Sequence, residues 1–125
     1  VYSGLVSYNT DKYQESHVKW WDALDVISSS GYYPIDVWDE NLERIGRVVE
    51  QYKKPFYFAE CVMPCRTGAS FIPNDWTYEG SLNQQEQADY YKVMLEVVKL
   101  LLVQLVYMRL LQLDIKELLW FLLKF

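Results

Sequence analysis

The chain has 125 residues, of which 51% are hydrophobic and 17% aromatic, so its length is that of one domain and its composition excludes global disorder. Its 12 Lys and Arg against 17 Asp and Glu give a formal net charge of −5. This balance provides no excess of basic residues to neutralise a phosphate backbone or an anionic lipid surface, so neither nucleic acid nor a membrane surface is expected as a partner.

Three short segments have the composition of β-strands. The first contains β-branched and aromatic residues and stops at a polar cluster that begins with Asn9. In the third, Phe56–Ala59 is an uninterrupted apolar run of the kind found in parallel strands that are covered on both faces, and Glu60 stands at its end. The predicted strands lie near residues 4–8, 25–30 and 55–60.

Helical periodicity appears between and after these strands. The clearest helix is predicted over residues 40–52, with Asp39 as its N-cap. Its apolar face comprises Leu42, Ile45, Val48, Val49 and Tyr52. Two further helices are predicted over residues 17–24 and 83–99. The alternation of strands and helices predicts an α/β fold with a parallel sheet.

The last segment, residues 100–125, has a different composition. Eleven of its residues are Leu and it contains neither Gly nor Pro, which predicts a helix. Its longest uncharged run, Leu100–Met108, is nine residues long, whereas a transmembrane helix needs about 20. The sequence therefore predicts an α/β domain over residues 1–99 and a leucine-rich helical tail over residues 100–125, with no membrane span.

Functional side chains in a parallel sheet gather at the carboxyl ends of the strands, because the following loops converge there. This rule selects Asn9–Asp11, Gly31–Pro34 and Glu60. A carboxylate that is held rigidly and partly desolvated, as expected for Glu60, suits a nucleophile or an acid/base group, and the alternative is a structural acid. Tyr32 and Tyr33 could hydrogen-bond this carboxylate, stack on a sugar ring or pack under a loop.

Other kinds of site have little support in the sequence. His17 is the only histidine, and Cys61 and Cys65 are the only cysteines, which gives little support to a Ser-His-Asp triad or a zinc site. In an extended segment the Cα atoms of the two cysteines would lie roughly 13 Å apart, too far for a disulfide, so both are predicted to be free thiols. Neither a metal nor a cofactor is expected.

Several short segments occur in an order and spacing that are specific when taken together. They are Trp20-Trp21-Asp22-Ala23-Leu24-Asp25-Val26-Ile27, Gly31-Tyr32-Tyr33-Pro34, Pro55-Phe56-Tyr57-Phe58-Ala59-Glu60, Arg66-Thr67-Gly68-Ala69 and Pro73-Asn74-Asp75-Trp76. These segments resemble the later part of a clan A glycoside hydrolase barrel and are most similar to glycoside hydrolase family 113. The resemblance covers about residues 2–98.

The resemblance implies a partial (β/α)8 barrel with about strands five to seven, since a complete barrel typically needs about 250 residues. It also implies that Glu60 is the catalytic nucleophile and that Tyr32 or Tyr33 is the sugar-site tyrosine. Trp76, with one of these tyrosines, is expected to form a platform on which the apolar face of a sugar stacks. Known family members act on β-mannan, so the implied substrate is β-mannan or a related β-linked oligosaccharide or polysaccharide.

The resemblance further implies a general acid/base glutamate upstream of Val1, and retaining hydrolysis needs that carboxyl about 5 to 5.5 Å from the nucleophile. A fragment of such a hydrolase is expected to be inactive as an isolated chain. Exposed apolar surface on an incomplete barrel is expected to favour self-association. The competing interpretation is a non-enzymatic α/β domain that binds carbohydrate or a protein partner.

Overall fold

The computed structural model describes the backbone of residues 2–112 and the side chains of residues 2–99. The strands are β1 (Ser7–Thr10), β2 (Val26–Ser30) and β3 (Phe56–Glu60), and the helices are α1 (Trp38–Tyr52) and α2 (Gln84–Gln112). Short 3-10 helices occupy Trp21–Ala23 and Ala69–Phe71. Neither α-helix of the described chain combines the length and hydrophobicity of a transmembrane segment. Residues 113–125 of the predicted tail lie outside the described residues.

The strands form one parallel sheet in the order β1-β2-β3. Ser7 pairs with Val26 at the start of the first ladder, and Ile27 pairs with Phe56 at the start of the second. This arrangement confirms the predicted α/β fold with a parallel sheet. Because all the strands run in the same direction, their carboxyl ends lie at one edge of the sheet, where the loops that follow them converge.

The first strand differs from its prediction. β1 begins at Ser7 and includes Asn9 and Thr10, which the sequence analysis assigned to the polar cluster after the strand. Asn9 and Thr10 align with Ser28 and Ser29 of β2, so backbone pairing outweighs the low strand propensity of Asn. The side chain of Asn9 therefore projects from the sheet instead of from a turn.

The helix predicted over residues 17–24 is wrong, because only Trp21–Ala23 forms a 3-10 turn there. Trp21 is fully buried, and its Nε1–H donates a hydrogen bond to the carbonyl of Glu15 at 2.8 Å. Earlier in the same connection, Tyr13 has a φ of 67°, which helical backbone does not adopt. The burial of one large side chain, and not helical periodicity, decides this connection.

Helix α1 covers one face of the sheet, as its periodicity predicts. The apolar face is confirmed by the burial of Leu42, Ile45, Val48 and Val49. The helix begins at Trp38, so the predicted N-cap Asp39 lies inside the first turn, where its negative charge favours the positive end of the helix dipole. Lys53 follows the helix with a φ of 53°, a left-handed conformation typical of helix ends.

The two faces of β3 differ in burial among the described residues. Phe56 and Phe58 of β3 are half-buried against the hydrophobic core, whereas Tyr57 between them is 48% exposed. The prediction that this strand is covered on both faces is therefore wrong for the described part of the chain. The core itself lies between the sheet and the two α-helices, and Tyr90 of α2 is fully buried in it.

A buried carboxylate joins the first connection to β2 and α1. Glu15 is fully buried, and its Oε1 accepts hydrogen bonds from Ser29 Oγ at 2.8 Å and from Tyr33 Oη at 2.7 Å. Arg44 of α1 forms a salt bridge with Oε2. Burial by itself would raise the pKa of Glu15, but the hydrogen bonds from Arg44, Tyr33 and Ser29 outweigh it and hold the pKa below its usual value.

The substitution Arg44→Met should destabilise the fold, because it leaves Glu15 as a buried carboxylate without its cation. We expect the free energy of unfolding to fall by about 3 kcal/mol, the lower end of the range for broken buried pairs, since the Arg44 side chain is 23% exposed. Urea unfolding at low protein concentration, followed by tryptophan fluorescence, measures the loss. A matched control is Arg47→Met, whose side chain is 70% exposed; equal losses in the two variants would contradict the prediction.

The same pair gives a pH dependence of known sign. In acid the unfolded chain binds a proton at residue 15 that folded Glu15 does not, so stability should decrease as the pH falls below the usual glutamate pKa of about 4.3. In Glu15→Gln this contribution disappears, and the variant should show a shallower loss of stability in acid than the unsubstituted chain. Identical pH profiles would show that Glu15 is not the group responsible.

The purified chain should self-associate, because apolar side chains near both outer strands are exposed and one edge of β1 and of β3 pairs with no strand of the described residues. These side chains include Leu5, Val6, Tyr8 and Tyr57. Sedimentation velocity should show species larger than the 14.9 kDa monomer, and their fraction should increase with protein concentration. A monodisperse monomer over the whole concentration range would overturn this prediction.

Candidate active site

Glu60 lies at the carboxyl end of β3, where a change of register sets the direction of its side chain. Ser29 pairs with Phe58, but the next pair joins Ser30 to Glu60, so Ala59 is an extra residue in β3. Side chains alternate along a strand, and regular pairing would put Glu60 on the side of Phe58, which packs against the core. The irregularity turns Glu60 toward the opposite side of the sheet.

Both carboxylate oxygens of Glu60 accept a hydrogen bond from a neighbouring strand or the loop that follows it. Asn9 Nδ2, on β1, donates to Oε1 at 3.1 Å, and Tyr32 Oη, just after β2, donates to Oε2 at 2.7 Å. The hydrogen bond to Glu60 raises the pKa of Tyr32 to about 12, so the phenol stays protonated at neutral pH. The three side chains form one cluster at the carboxyl edge of the sheet.

Glu60 is exposed to solvent, which differs from the partial desolvation expected from the sequence. The expectation depended on a strand covered on both faces, and on the side of β3 to which Glu60 points both Glu60 and Tyr57 are exposed. The structure therefore fixes the orientation of the carboxylate without removing it from water.

The backbone that carries Tyr32 is held by hydrogen bonds on both sides of the residue. Its carbonyl accepts a hydrogen bond from Lys12 Nζ at 3.1 Å, and the carbonyl of Tyr33 accepts one from Tyr90 Oη at 2.8 Å. The amide of Gly31 donates to the main chain at the end of β3 at 2.7 Å. These contacts hold in place the backbone from which the Tyr32 side chain reaches the carboxylate.

Tyr33 does not lie beside Glu60. Its side chain is fully buried, its hydroxyl donates to Glu15, and its ring packs edge-on against Trp38 with ring centroids 5.3 Å apart. Burial, together with the hydrogen bond to Glu15, raises the pKa of Tyr33 above its usual value. Of the two tyrosines singled out in the sequence, the structure brings Tyr32 to the carboxylate and places Tyr33 in the core.

Trp76 lies in the loop after β3 and contacts Tyr32. The indole is 62% exposed, and the two rings meet edge to face with centroids 6.1 Å apart and planes at 89°. Asp75 accepts hydrogen bonds from the amide of Thr77 at 3.0 Å and from its hydroxyl at 2.7 Å, which forms a tight turn around Trp76. An exposed indole therefore stands next to the phenol that binds Glu60.

A carboxylate from α2 orders the same loop. Glu86 accepts hydrogen bonds from the amides of Gly68 at 2.9 Å and Ser70 at 3.1 Å. Gly68 has a φ of 86°, a left-handed conformation that strains any other residue, and a Cβ at this position would also lie 2.6 Å from the hydroxyl of Tyr78, so glycine is strongly favoured. The carbonyl of Ser70 accepts from the amide of Ile35 at 2.8 Å, which ties the loop to the segment after β2.

Both cysteines are free thiols, as predicted. Burial raises the pKa of Cys61 to about 12, so this thiol stays protonated and unreactive at neutral pH. Within residues 2–99, His, Cys, Asp and Glu side chains form no group of three that could hold a metal ion. The groups available at this edge of the sheet are therefore a carboxylate, hydrogen-bond donors that include the ammonium of Lys12, and aromatic rings.

The sequence reasoning missed Asn9, which belongs to the cluster, and Lys12, which binds the backbone of Tyr32 beside it. Asn9 fell within one of the selected loops but received no role, because it was assigned to a turn where its side chain has no defined direction. Lys12, two residues past β1, was not singled out at all. The available signal was position, since both residues lie at or just after the carboxyl end of a strand.

The fold and the cluster together define a class of protein. A parallel α/β sheet whose carboxyl edge brings together a glutamate, a tyrosine and an exposed tryptophan has the arrangement of a barrel-type glycoside hydrolase. The family model of Glycoside Hydrolase Family 113 matches residues 1–101. The chain belongs to this family. No match was found among curated proteins.

Solved structures of the same family are similar to this chain. One GH113 β-1,4-mannanase is 64% identical with a TM-score of 0.74, and another, solved as a complex, is 62% identical with the same TM-score. The GH113 β-mannanase AaManA from Alicyclobacillus acidocaldarius, in complex with ManMIm, is 42% identical with a TM-score of 0.74. Each match covers 77% of this chain and 31% of the solved one, so the chain spans about a third of these enzymes. Its parallel sheet and helices are a part of the family's barrel.

Proposed function

We propose that the chain is a segment of a retaining glycoside hydrolase that acts on β-mannan or a related β-linked polysaccharide, with Glu60 as the catalytic nucleophile. The observation that carries this proposal is the position of Glu60 at the carboxyl end of a parallel strand, with both oxygens bound by side chains from neighbouring parts of the sheet. Family membership supports hydrolysis, and the solved β-1,4-mannanases support the substrate class. In this proposal β1 to β3 correspond to barrel strands five to seven.

In the first step one oxygen of Glu60 attacks the anomeric carbon of the bound sugar, and the bond to the leaving oxygen breaks as an acid protonates that oxygen. A covalent glycosyl-enzyme forms, and water then hydrolyses it. The hydrogen bonds to Glu60 come from an amide and a phenol, which are both neutral. They orient the carboxylate without pairing it with a cation that would reduce its reactivity.

The acid/base group must be a second carboxyl about 5 to 5.5 Å from the nucleophile. Glu15 is unsuited to this role because it is fully buried and its oxygens already bind Ser29, Tyr33 and Arg44. We therefore assign the acid/base role to a glutamate in another part of the complete barrel. That glutamate would approach from the side of the sheet to which Glu60 points.

Trp76 and Tyr32 form the proposed sugar platform. The exposed indole offers an apolar face to a pyranose ring, while the phenol and Glu60 lie at its edge, where sugar hydroxyls can form hydrogen bonds. Tyr33 is not included, because its side chain is buried and its hydroxyl binds Glu15.

A second candidate function is carbohydrate binding without catalysis. The 62% exposure of Trp76 favours it, since exposed aromatic residues bind sugars without any carboxylate chemistry. This candidate predicts that sugar affinity depends on Trp76. It also predicts that replacing Glu60 does not change the turnover of an enzyme into which the chain is grafted.

The substitution Glu60→Gln separates the two candidates. Because one chain spans only part of the barrel, the test uses a grafted enzyme, in which residues 1–101 of this chain replace the matching segment of the 64% identical β-1,4-mannanase. Glu60→Gln should lower kcat on β-mannan by roughly 1,000-fold or more, because an amide is a poor nucleophile. Release of reducing sugar measures the rate.

A matched control is Glu43→Gln, an exposed glutamate of α1 whose closest cation is Arg47 at 4.0 Å. Its kcat should stay within about twofold of the unsubstituted graft. In Glu60→Ala, azide should restore turnover of an aryl β-mannoside and yield the α-mannosyl azide, since azide would occupy the space of the carboxylate. Full activity of Glu60→Gln would overturn the nucleophile assignment.

The isolated 125-residue chain should release no measurable sugar from β-mannan, because general acid/base catalysis is worth about 10²- to 10⁴-fold in rate and its carboxyl is not supplied by a suitable described residue. The expected rate of the chain equals that of its Glu60→Gln variant in the same assay. Turnover by the isolated chain that disappears on Glu60→Gln would show that a second acid lies within it.

A further inference from the structure

The ammonium group of Lys12 touches the loops that follow β2 and β3 as well as its own loop after β1. Nζ donates to the carbonyl of Tyr32 at 3.1 Å and to Oδ1 of Asn74 at 2.7 Å. The ring of Tyr13 lies beside it, with its centroid 5.8 Å away. A single cation therefore joins the three loops at the carboxyl edge of the sheet.

The two residues that Lys12 binds belong to the two loops that provide the aromatic rings of the proposed sugar platform. Tyr32 provides the phenol, and Asn74 lies two residues before Trp76 in the loop after β3. The rings of Tyr32 and Trp76 belong to different loops and touch only through an edge-to-face contact with centroids 6.1 Å apart. An edge-to-face contact of this kind is weak by itself, whereas hydrogen bonds from a charged donor are roughly twice as strong as neutral ones.

We propose that Lys12 is a positioning residue that holds Trp76 against Tyr32 and so sets the affinity of the site for the sugar ring next to Glu60. This inference rests on the proposed function. Lys12 makes no hydrogen bond to Glu60, so the reactivity of the carboxylate does not depend directly on it. Asn9 and Tyr32 therefore orient the carboxylate, whereas Lys12 orients the aromatic rings of the platform.

The first test measures the platform without any activity, in the full 125-residue chain labelled with 5-fluorotryptophan. The chain has five tryptophans, and the variant Trp76→Phe identifies the fluorine resonance of Trp76. Lys12→Met should shift this resonance, Lys12→Arg should return it toward its original position, and the other tryptophan resonances should move less. An unchanged Trp76 resonance in Lys12→Met would overturn the inference.

The second test measures sugar affinity in the grafted enzyme. Lys12→Met should raise KM for a manno-oligosaccharide by about tenfold, with kcat within about threefold, because the loss of charged hydrogen bonds to the platform weakens binding. Asn74→Ala should give a similar increase, and the double variant should show no further increase, since both changes remove the same contact. Lys12→Arg should recover most of the loss. The control is Lys19→Met, because among the described residues the Nζ of Lys19 binds just the nearby carbonyl of Ser16.

The two proposals fail in different ways. Retained hydrolysis in Glu60→Gln would reject the proposed function, whereas the role of Lys12 would be rejected by an unchanged KM in Lys12→Met of a graft whose activity depends on Glu60. A fall in kcat with KM unchanged would also reject it, because that pattern assigns Lys12 to the reacting carboxylate. Additive effects of Lys12→Met and Asn74→Ala would show that the contact between them does not position Trp76.

Discussion

The direction of the Glu60 side chain is the constraint on which the whole cluster depends. It is set by the change of pairing after Ser29, which makes Ala59 the extra residue in β3. Without that change Glu60 would point to the side occupied by Phe58 and the helices, where a carboxylate would be buried against apolar groups. With that change, the carboxylate accepts a hydrogen bond from Asn9 of β1 and another from Tyr32, which lies just after the end of β2.

Strand β2, in the middle of the sheet, buries polar side chains without leaving their hydroxyls unpaired. Its residues Ser28 and Ser29 are fully buried, yet each hydroxyl is satisfied on a different side: Ser28 donates to the carbonyl of Tyr8, and Ser29 donates to Glu15. Buried hydroxyls are tolerated when they are hydrogen-bonded. Glu15 and the residues that bind it lie on the helix side of the sheet and tie β2 to α1. They therefore support the end of β2 from the side opposite to Glu60.

Features that depend on neighbouring residues in the sequence could be predicted, whereas features that depend on contacts between distant segments could not. The apolar face of α1 and the end of β3 at Glu60 could be predicted because local periodicity determines them. Asn9 could not, since the length of β1 is decided by its alignment with β2, and neither could the register shift that turns Glu60. The false helix over residues 17–24 fails for a similar reason, because the burial of Trp21 depends on the assembled core.

Orientation and desolvation of the Glu60 carboxylate are separable in this molecule. The described residues orient the carboxylate through Asn9 and Tyr32, but they leave Glu60 in water, where a carboxylate is well solvated and its interactions with a developing charge are weak. Catalysis gains most from fixed dipoles in a water-excluded site. Any element that covers the open side of β3 would therefore exclude water from Glu60, while the hydrogen bonds that orient its carboxylate are already present in this segment.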